Sequence, residues 1–395
     1  MSIANVSATR VALVLACGLA MSGCGTVKGW FGGKDKGERL TDPAELTDFA
    51  ASTTPTRLWS TSVGKGEDLL GARQGPVVAD GKVYAAAVHG GLQALDLNSG
   101  ARLWQYRSDL PLSGGPGAGD GLVVVGSLEG DVIALDAATG TEKWTAKVPN
   151  EVIAAPVIGQ GMVFVRSNDG RVSAFDANSG ERRWFNDSTP PALTVRGNDG
   201  VVLGPGYVFS GGDDGMVKAF AIADGRPLWE QAVAQPDGRS ELDRMADVDG
   251  TPALDGPVLF ASSYKNSTVA IEAPSGRVLW ESGNGGPGRV GVSADRVITS
   301  DRNGTVWGID KTSGSGSWQQ PALARRNLSG VAVQGDYAVV GDYDGYLHWL
   351  NLSDGQFAAR TRAAKDAIRA APVVADGILL VQSTGGDLSA WRVGQ

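Results

Sequence analysis

The chain reads as short apolar runs separated by polar turns that contain glycine, and one run with its turn recurs. Ala94-Leu-Asp-Leu-Asn-Ser-Gly-Ala-Arg-Leu-Trp104 returns as Ala134-Leu-Asp-Ala-Ala-Thr-Gly-Thr-Glu-Lys-Trp144 and as Ala174-Phe-Asp-Ala-Asn-Ser-Gly-Glu-Arg-Arg-Trp184. Looser copies end at Trp229, Trp280 and Trp318, a seventh ends at Phe357, and an eighth begins at Ala390. Each copy closes a longer unit of about forty residues that reads as four strands and three turns. In the first unit, Pro76-Val-Val-Ala-Asp-Gly-Lys-Val-Tyr-Ala-Ala-Ala87 is followed by His89-Gly-Gly91. Leu92-Gln-Ala-Leu-Asp96, Ser99-Gly100 and Ala101-Arg-Leu-Trp-Gln-Tyr106 complete it. The middle turns carry Glu129-Gly130, Asp169-Gly170, Asp214-Gly215, Asn303-Gly304 and Asp344-Gly345. Asn-Gly and Asp-Gly predict two-residue hairpins with both central residues at positive φ. The Ser/Thr-Gly near the end of each unit closes its last hairpin. The Asp some four residues earlier is placed to accept from turn N–H groups.

Repeated four-stranded units of this length predict an all-β fold, an eight-bladed β-propeller of four-stranded antiparallel blades spanning residues 56–395. Trp104, Trp144, Trp184, Trp229, Trp280, Trp318 and Phe357 mark seven outer strands. Leu58-Trp59 has the same signature with no strands before it. The N-terminal strand is therefore expected to complete the last blade and close the ring without an open edge. Trp59 and the seven others are expected to pack between neighbouring blades. Each buries roughly 150–250 Å², and truncation of one should cost roughly 3–5 kcal/mol.

Composition narrows the function. Glycine is abundant, 57 residues, yet 42% of the chain is hydrophobic, so disorder does not explain it. A net charge of −8 argues against nucleic acid, which needs a basic face. The two cysteines, Cys17 and Cys24, leave no disulfide framework for the body. His89 falls in a hairpin turn and His348 in a strand, with no cluster of ligands or nucleophiles around either in the sequence. Asp213-Asp214-Gly215 lies where every other blade has a hairpin turn, so no metal site is read from it. Arg166, Arg196 and Arg369 are lone arginines without an assigned role. The residues predict neither an enzyme nor a cofactor.

Residues 1–23 read as an export signal, with Arg10 before an apolar run that is too short to cross a bilayer. Met21-Ser22-Gly23-Cys24 resembles a bacterial lipobox, with Met21 where Leu is usual. The resemblance implies lipid on Cys24, and Gly25 after it implies the outer membrane. Residues 24–55 read as a flexible tether with a reach of roughly 30 Å.

The repeat is least regular between blades. Trp184 to Gly206 and Trp229 to Gly256 are longer than Trp104 to Gly121 or Trp144 to Gly161, and Trp59 to Gly81 is long as well. The 188–200 segment offers Leu193 and Val195 beside Arg196, with Pro190-Pro191 to stiffen its entry. The 237–252 segment is rich in acids. An apolar anchor, an arginine and an acidic neighbour suit a protein interface. Leu193 and Val195 tucked under their own loop would be an equally good reading.

The repeat resembles that of the pyrroloquinoline-quinone dehydrogenases, which need a central cofactor pocket, calcium and in many members a vicinal disulfide. This body has no cysteine and is far shorter. The whole chain resembles the BamB family, lipoproteins of the β-barrel assembly machinery. Leu193-Thr-Val-Arg-Gly197 is similar to that family's Leu-x-[Leu/Val]-Arg-Gly segment. Glu241-Leu-Asp-Arg-Met-Ala-Asp-Val-Asp-Gly-Thr-Pro252 is similar to its second signature segment. The resemblance implies a non-enzymatic scaffold on the periplasmic face of the outer membrane, within the Bam complex. It implies docking on a BamA POTRA domain through Leu193, Val195 and Arg196. Asp247 and Asp249 would lie beside them, either touching the partner or holding the loops in shape. Nascent outer membrane proteins are possible clients. A degenerate quinone-binding propeller and a cell-wall or sugar-binding propeller are the alternatives.

Overall fold

The computed structural model of the protein describes residues 42–66, 73–187, 191, 193 and 200–394. Among them, strands form eight four-stranded antiparallel sheets, each built from one repeat. In the first blade the order from the centre outward is Val77–Ala79, Lys82–Ala87, Gly91–Asp96 and Arg102–Tyr106. The middle strands are apolar almost throughout because a neighbouring blade covers each of their faces, as in Lys82–Ala87. The outer strands alternate instead. Glu142–Lys147 buries Trp144 and exposes its neighbours.

The eighth blade runs Val373–Ala375, Ile378–Gln382 and Asp387–Val393, and its outer strand is Pro55–Ser62. The two chain ends pair from Pro55 with Val393 to Ser62 with Asp387. The ring closes as the repeat predicts.

Seven of the eight seams between blades share one contact. Trp59 Nε1 donates to Leu97 O at 2.9 Å, and its ring lies on Gly100, where a Cβ would come within 2.6 Å of it. The same pairing joins Trp104 to Ala137 and Gly140, Trp144 to Ala177 and Gly180, and Trp184 to Ile222 and Gly225. It joins Trp229 to Ala273 and Gly276, Trp280 to Lys311 and Gly314, and Trp318 to Leu352 and Gly355. Each Trp thus satisfies a turn carbonyl of the next blade and packs where only glycine leaves room.

The hairpins differ from the sequence expectation in kind. Both central residues have positive φ in the first hairpins of blades one, two, three and eight, at Asp80-Gly81, Asp120-Gly121, Gln160-Gly161 and Asp376-Gly377. In the middle hairpins of blades two to eight only one residue does. Ser127 N donates to Asp131 O at 3.0 Å, Gly130 N to Ser127 O at 3.2 Å, and Gly130 has φ 84°. That is a three-residue loop, a type I turn followed by a left-handed residue. Asn266, φ 62°, takes the glycine's place in the fifth blade. The last hairpins behave as expected: Asp96 Oδ1 accepts from Ser99 N at 2.8 Å, and Asp136, Asp176 and Asp310 act alike.

Residues 43–54, which the sequence assigns to the tether, lie along the seventh blade. Ala44 N donates to Ala324 O and Ser52 N to Ala358 O, both at 2.9 Å. Arg326 Nη1 donates to Ala44 O at 3.0 Å and Arg360 Nη1 to Thr47 O at 2.9 Å. Leu46 joins the core of that blade, and Phe49 stacks on Phe357. Behind this strap the two arginines meet a buried polar cluster. Arg326 Nε donates to Asp342 Oδ2 at 2.7 Å, and Arg360 Nε donates to His348 Nδ1 at 3.2 Å. His348 Nδ1 is therefore the acceptor, and its Nε2–H donates to Asp342 Oδ2 at 3.0 Å. Burial pushes the His348 pKa below its ordinary value.

Candidate functional site

Strand direction alternates through a blade, so the middle hairpins and the connections between blades all open on one face. The long connections therefore share a face with the hairpin Gly212–Met216 of blade four and its counterpart Ser263–Ser267 of blade five. The connection before blade five is wedged between those two. Val248 N donates to Gly212 O at 3.0 Å, and Tyr264 N donates to Asp247 O at 2.8 Å. A short helix, Glu241–Arg244, precedes this wedge. Ser240 caps it: its hydroxyl accepts from Asp243 N while Asp243 Oδ2 accepts from Ser240 N, both at 3.2 Å.

The wedge places Asp247 and Asp249 inside the protein, 0% and 1% exposed. Asp213, from the blade-four hairpin, joins them with ligand atoms of all three within 4.8 Å of one another. Arg166, buried at the end of a blade-three strand, donates Nη2 to Asp213 Oδ1 at 2.8 Å. Burial raises the Asp249 pKa to about 7, against the pull of Arg73, with Asp247 adding to the rise and Arg166 opposing it. Asp249 thus sits near the midpoint of its titration at neutral pH, within a cluster drawn from three consecutive blades.

Of the residues singled out in the sequence, Leu193 is 43% exposed on this face, an apolar side chain presented to solvent. Val195, Arg196 and Cys24 lie outside the described residues. Asp247 and Asp249 are not surface groups. Their burial favours the loop-shaping role over direct contact.

Arg166 and Asp213 are site residues whose joint role the sequence reading missed. The signal for Arg166 was its position: the aligned places in blades two, four, five, six and seven hold small residues, Gly126, Gly211, Ser262, Ser300 and Gly341, and only blade eight has another long one, Gln382. A long cation there must reach into the next blade.

The innermost strands enclose a central channel of about 1150 Å³. Its walls are glycine, alanine, valine and proline, with charges at Arg73, Arg289, Lys311 and Asp255. Lys311 pairs with Asp255, the one carboxylate of the described lining. That donor set does not fit a calcium held by acidic and amide ligands over a quinone.

A family model described as "Outer membrane protein assembly factor BamB" matches residues 40–111, 92–320 and 309–393. The chain is 60% identical to the outer membrane protein assembly factor BamB of Xanthomonas campestris pv. campestris, over 98% of both chains. It superimposes on the crystal structure of BamB from Moraxella catarrhalis with a TM-score of 0.78 at 29% identity, covering 86% of this chain and 100% of that one. A quinohemoprotein alcohol dehydrogenase from Comamonas testosteroni gives a TM-score of 0.67 at 16% identity, covering 85% of this chain and 76% of that one. That likeness is one of fold alone.

Proposed function

The chain belongs to the BamB family of outer membrane protein assembly factors, and from that premise we propose that it is a non-enzymatic scaffold that docks on a periplasmic POTRA domain of BamA. Docking uses the face that carries the two long connections. Leu193 supplies an apolar anchor, Val195 adds to it, and Arg196 supplies directed hydrogen bonds. The observation that supports this reading best is the exposure of Leu193, 43%, on the face that also holds the buried charge cluster. An exposed apolar group on a rigid base loses little entropy on binding. Asp247 and Asp249 act from beneath the surface. Lipid on Cys24 anchors the scaffold to the outer membrane from its periplasmic face, and nascent outer membrane proteins are its clients.

The test is capture of the BamA periplasmic domains by the wild type, by Leu193→Ala and by Arg196→Ala, with melting curves for each. Loss of capture with an unchanged melt is the expected result. Equal capture by all three proteins would remove the 188–200 segment from the interface. No capture by the wild type would overturn the docking reading.

A further inference from the structure

The connection that enters blade one ends in Arg73, whose side chain does not stay with its own blade. Nη1 donates to Pro287 O at 3.1 Å, 214 residues further on, in the connection that enters blade six. Blades seven and eight separate blades one and six on the shorter way round the ring. Arg73 therefore crosses the mouth of the central channel, which it also lines.

Its landing point adjoins the acidic cluster. Gly250, next to Asp249, packs so closely on the blade-six connection that a Cβ there would come within 2.3 Å of Gly288 O. Pro287 is the residue before Gly288. One guanidinium thus holds a carbonyl of the blade-six connection, and its charge favours the ionised form of Asp249 in the adjoining blade-five connection. Arginine suits this position because it stays charged when partly buried and has five donors on a planar fork.

We propose that Arg73 is a positioning residue of the docking surface: reaching across the channel mouth, it fixes the Asp247–Asp249 segment in its docking shape. The proposal rests on the docking reading of the Leu193 face. It makes the three connections entering blades one, five and six a single mechanical unit. The exposed Leu193 face is then supported from the far side of the ring as well as from its own blades.

Two measurements on the full chain test it, using Arg73→Ala and Arg73→Lys. The first is capture of the BamA periplasmic domains at pH 7.5. Arg73→Ala should lose about tenfold or more, with Arg73→Lys in between, the cation being kept without the fork. The second needs no partner. The ¹³C-carboxyl resonance of Asp249, assigned with Asp249→Asn, is followed against pH. Removing a nearby cation should move its midpoint upward by about half a unit or more, and lysine should restore part of the shift. An unchanged Asp249 midpoint in Arg73→Ala overturns the proposal whatever BamA does. A shifted midpoint with wild-type capture overturns the docking half of it. Failure of wild-type capture overturns the docking reading instead, while the Asp249 titration still decides whether Arg73 governs that segment.

Discussion

Phe49 stacks on Phe357 with ring centroids 5.3 Å apart, on the side of blade seven that packs with blade six. Contrary to the sequence expectation, Phe357 does not stand at the repeat's tryptophan position, which is Ala359, opposite Trp349 as Trp144 is opposite Ala134. Elsewhere a Trp Nε1 needs the carbonyl of the next blade's last hairpin. The eighth blade has no such hairpin, because its two outermost strands come from opposite ends of the chain. A tryptophan at 359 would leave its N–H without that partner. Ala359 avoids the problem, because the indole of this seam stands on the paired strand at Trp349, whose Nε1 donates to Gln334 Oε1 at 2.9 Å. The Arg360 guanidinium lies 5.0 Å from the Phe49 ring and 5.1 Å from the Phe357 ring.

The stack should be measurable as a coupling. Phe49 is half-buried, so Phe49→Ala is expected to cost about 1–2 kcal/mol. A double-mutant cycle with Phe357→Ala should return roughly 0.5–1.5 kcal/mol of interaction energy. Strictly additive losses would mean that the strap lies on the blade without stabilising it.

At the other seams the expectation is larger and uniform. Trp144→Ala should lower stability by about 3–5 kcal/mol, and Trp59→Ala, which strikes the closing strand, by a similar amount. Trp144→Phe retains most of the packing but orphans the Ala177 carbonyl, and should cost about 1–3 kcal/mol. Denaturant melts decide this. An unchanged midpoint for Trp59→Ala would show that the ring does not depend on its clasp.

Asp249 gives a pH dependence of unusual sign for a carboxylate. Its folded pKa, about 7, lies above its unfolded value. The folded state therefore holds a proton that the unfolded state releases. Stability from this group is full below about pH 4 and falls as pH rises toward 7. The total is at most on the order of 4 kcal/mol. Asp249→Asn should flatten that slope and raise the melting temperature at pH 8 more than at pH 4. Parallel pH profiles for the two proteins would refute the assignment.

His348 acts in the opposite direction. Its pKa is lowered by burial, against the favourable Asp342 contact and in concert with the Arg360 and Arg326 charges. The neutral ring is favoured in the fold, so its contribution is full above about pH 6.5 and is lost as pH falls through the lower folded value. Protonation at Nδ1 would also remove the acceptor that holds Arg360, and with it the strap at Thr47. His348→Gln is expected to lose less stability than wild type between pH 7 and pH 5. Hydrogen-exchange protection at residues 44–53, taken relative to the intrinsic exchange rate at each pH, should fall on acidification in the wild type only. No fall there would uncouple the strap from the histidine.

The eight blades and their closure were legible because the repeat states its period outright and Leu58-Trp59 stands without strands of its own. Turn chemistry was not legible, because Asp-Gly serves both a two-residue hairpin and the end of a type I turn. What separates them is the first residue of the loop. Ser127 Oγ accepts from Asp131 N at 2.9 Å and Glu129 N at 3.1 Å, and Asp342 Oδ1 accepts from Asp344 N and Tyr346 N. The 43–54 strap left no periodic trace, since it is held by carbonyls and one ring. Asp247 and Asp249 were legible as part of a special segment but not as buried groups. Arg166 meets Asp213, and Arg73 reaches Pro287, only through the curvature of the ring, which no local pattern records.

The clasp also sets an order of events. Pro55–Ser62 leaves the ribosome early, and its strand partner, Asp387–Val393, leaves more than 300 residues later. Throughout that interval an amphipathic strand with Leu58 and Trp59 stands unpaired, the kind of segment that chaperones hold and proteases cut. Individual blades can form in turn as they emerge, but none of them secures this strand. The ring behaves as a timing lock: its last seven residues commit the whole, and a chain truncated just short of them would leave its first strand exposed.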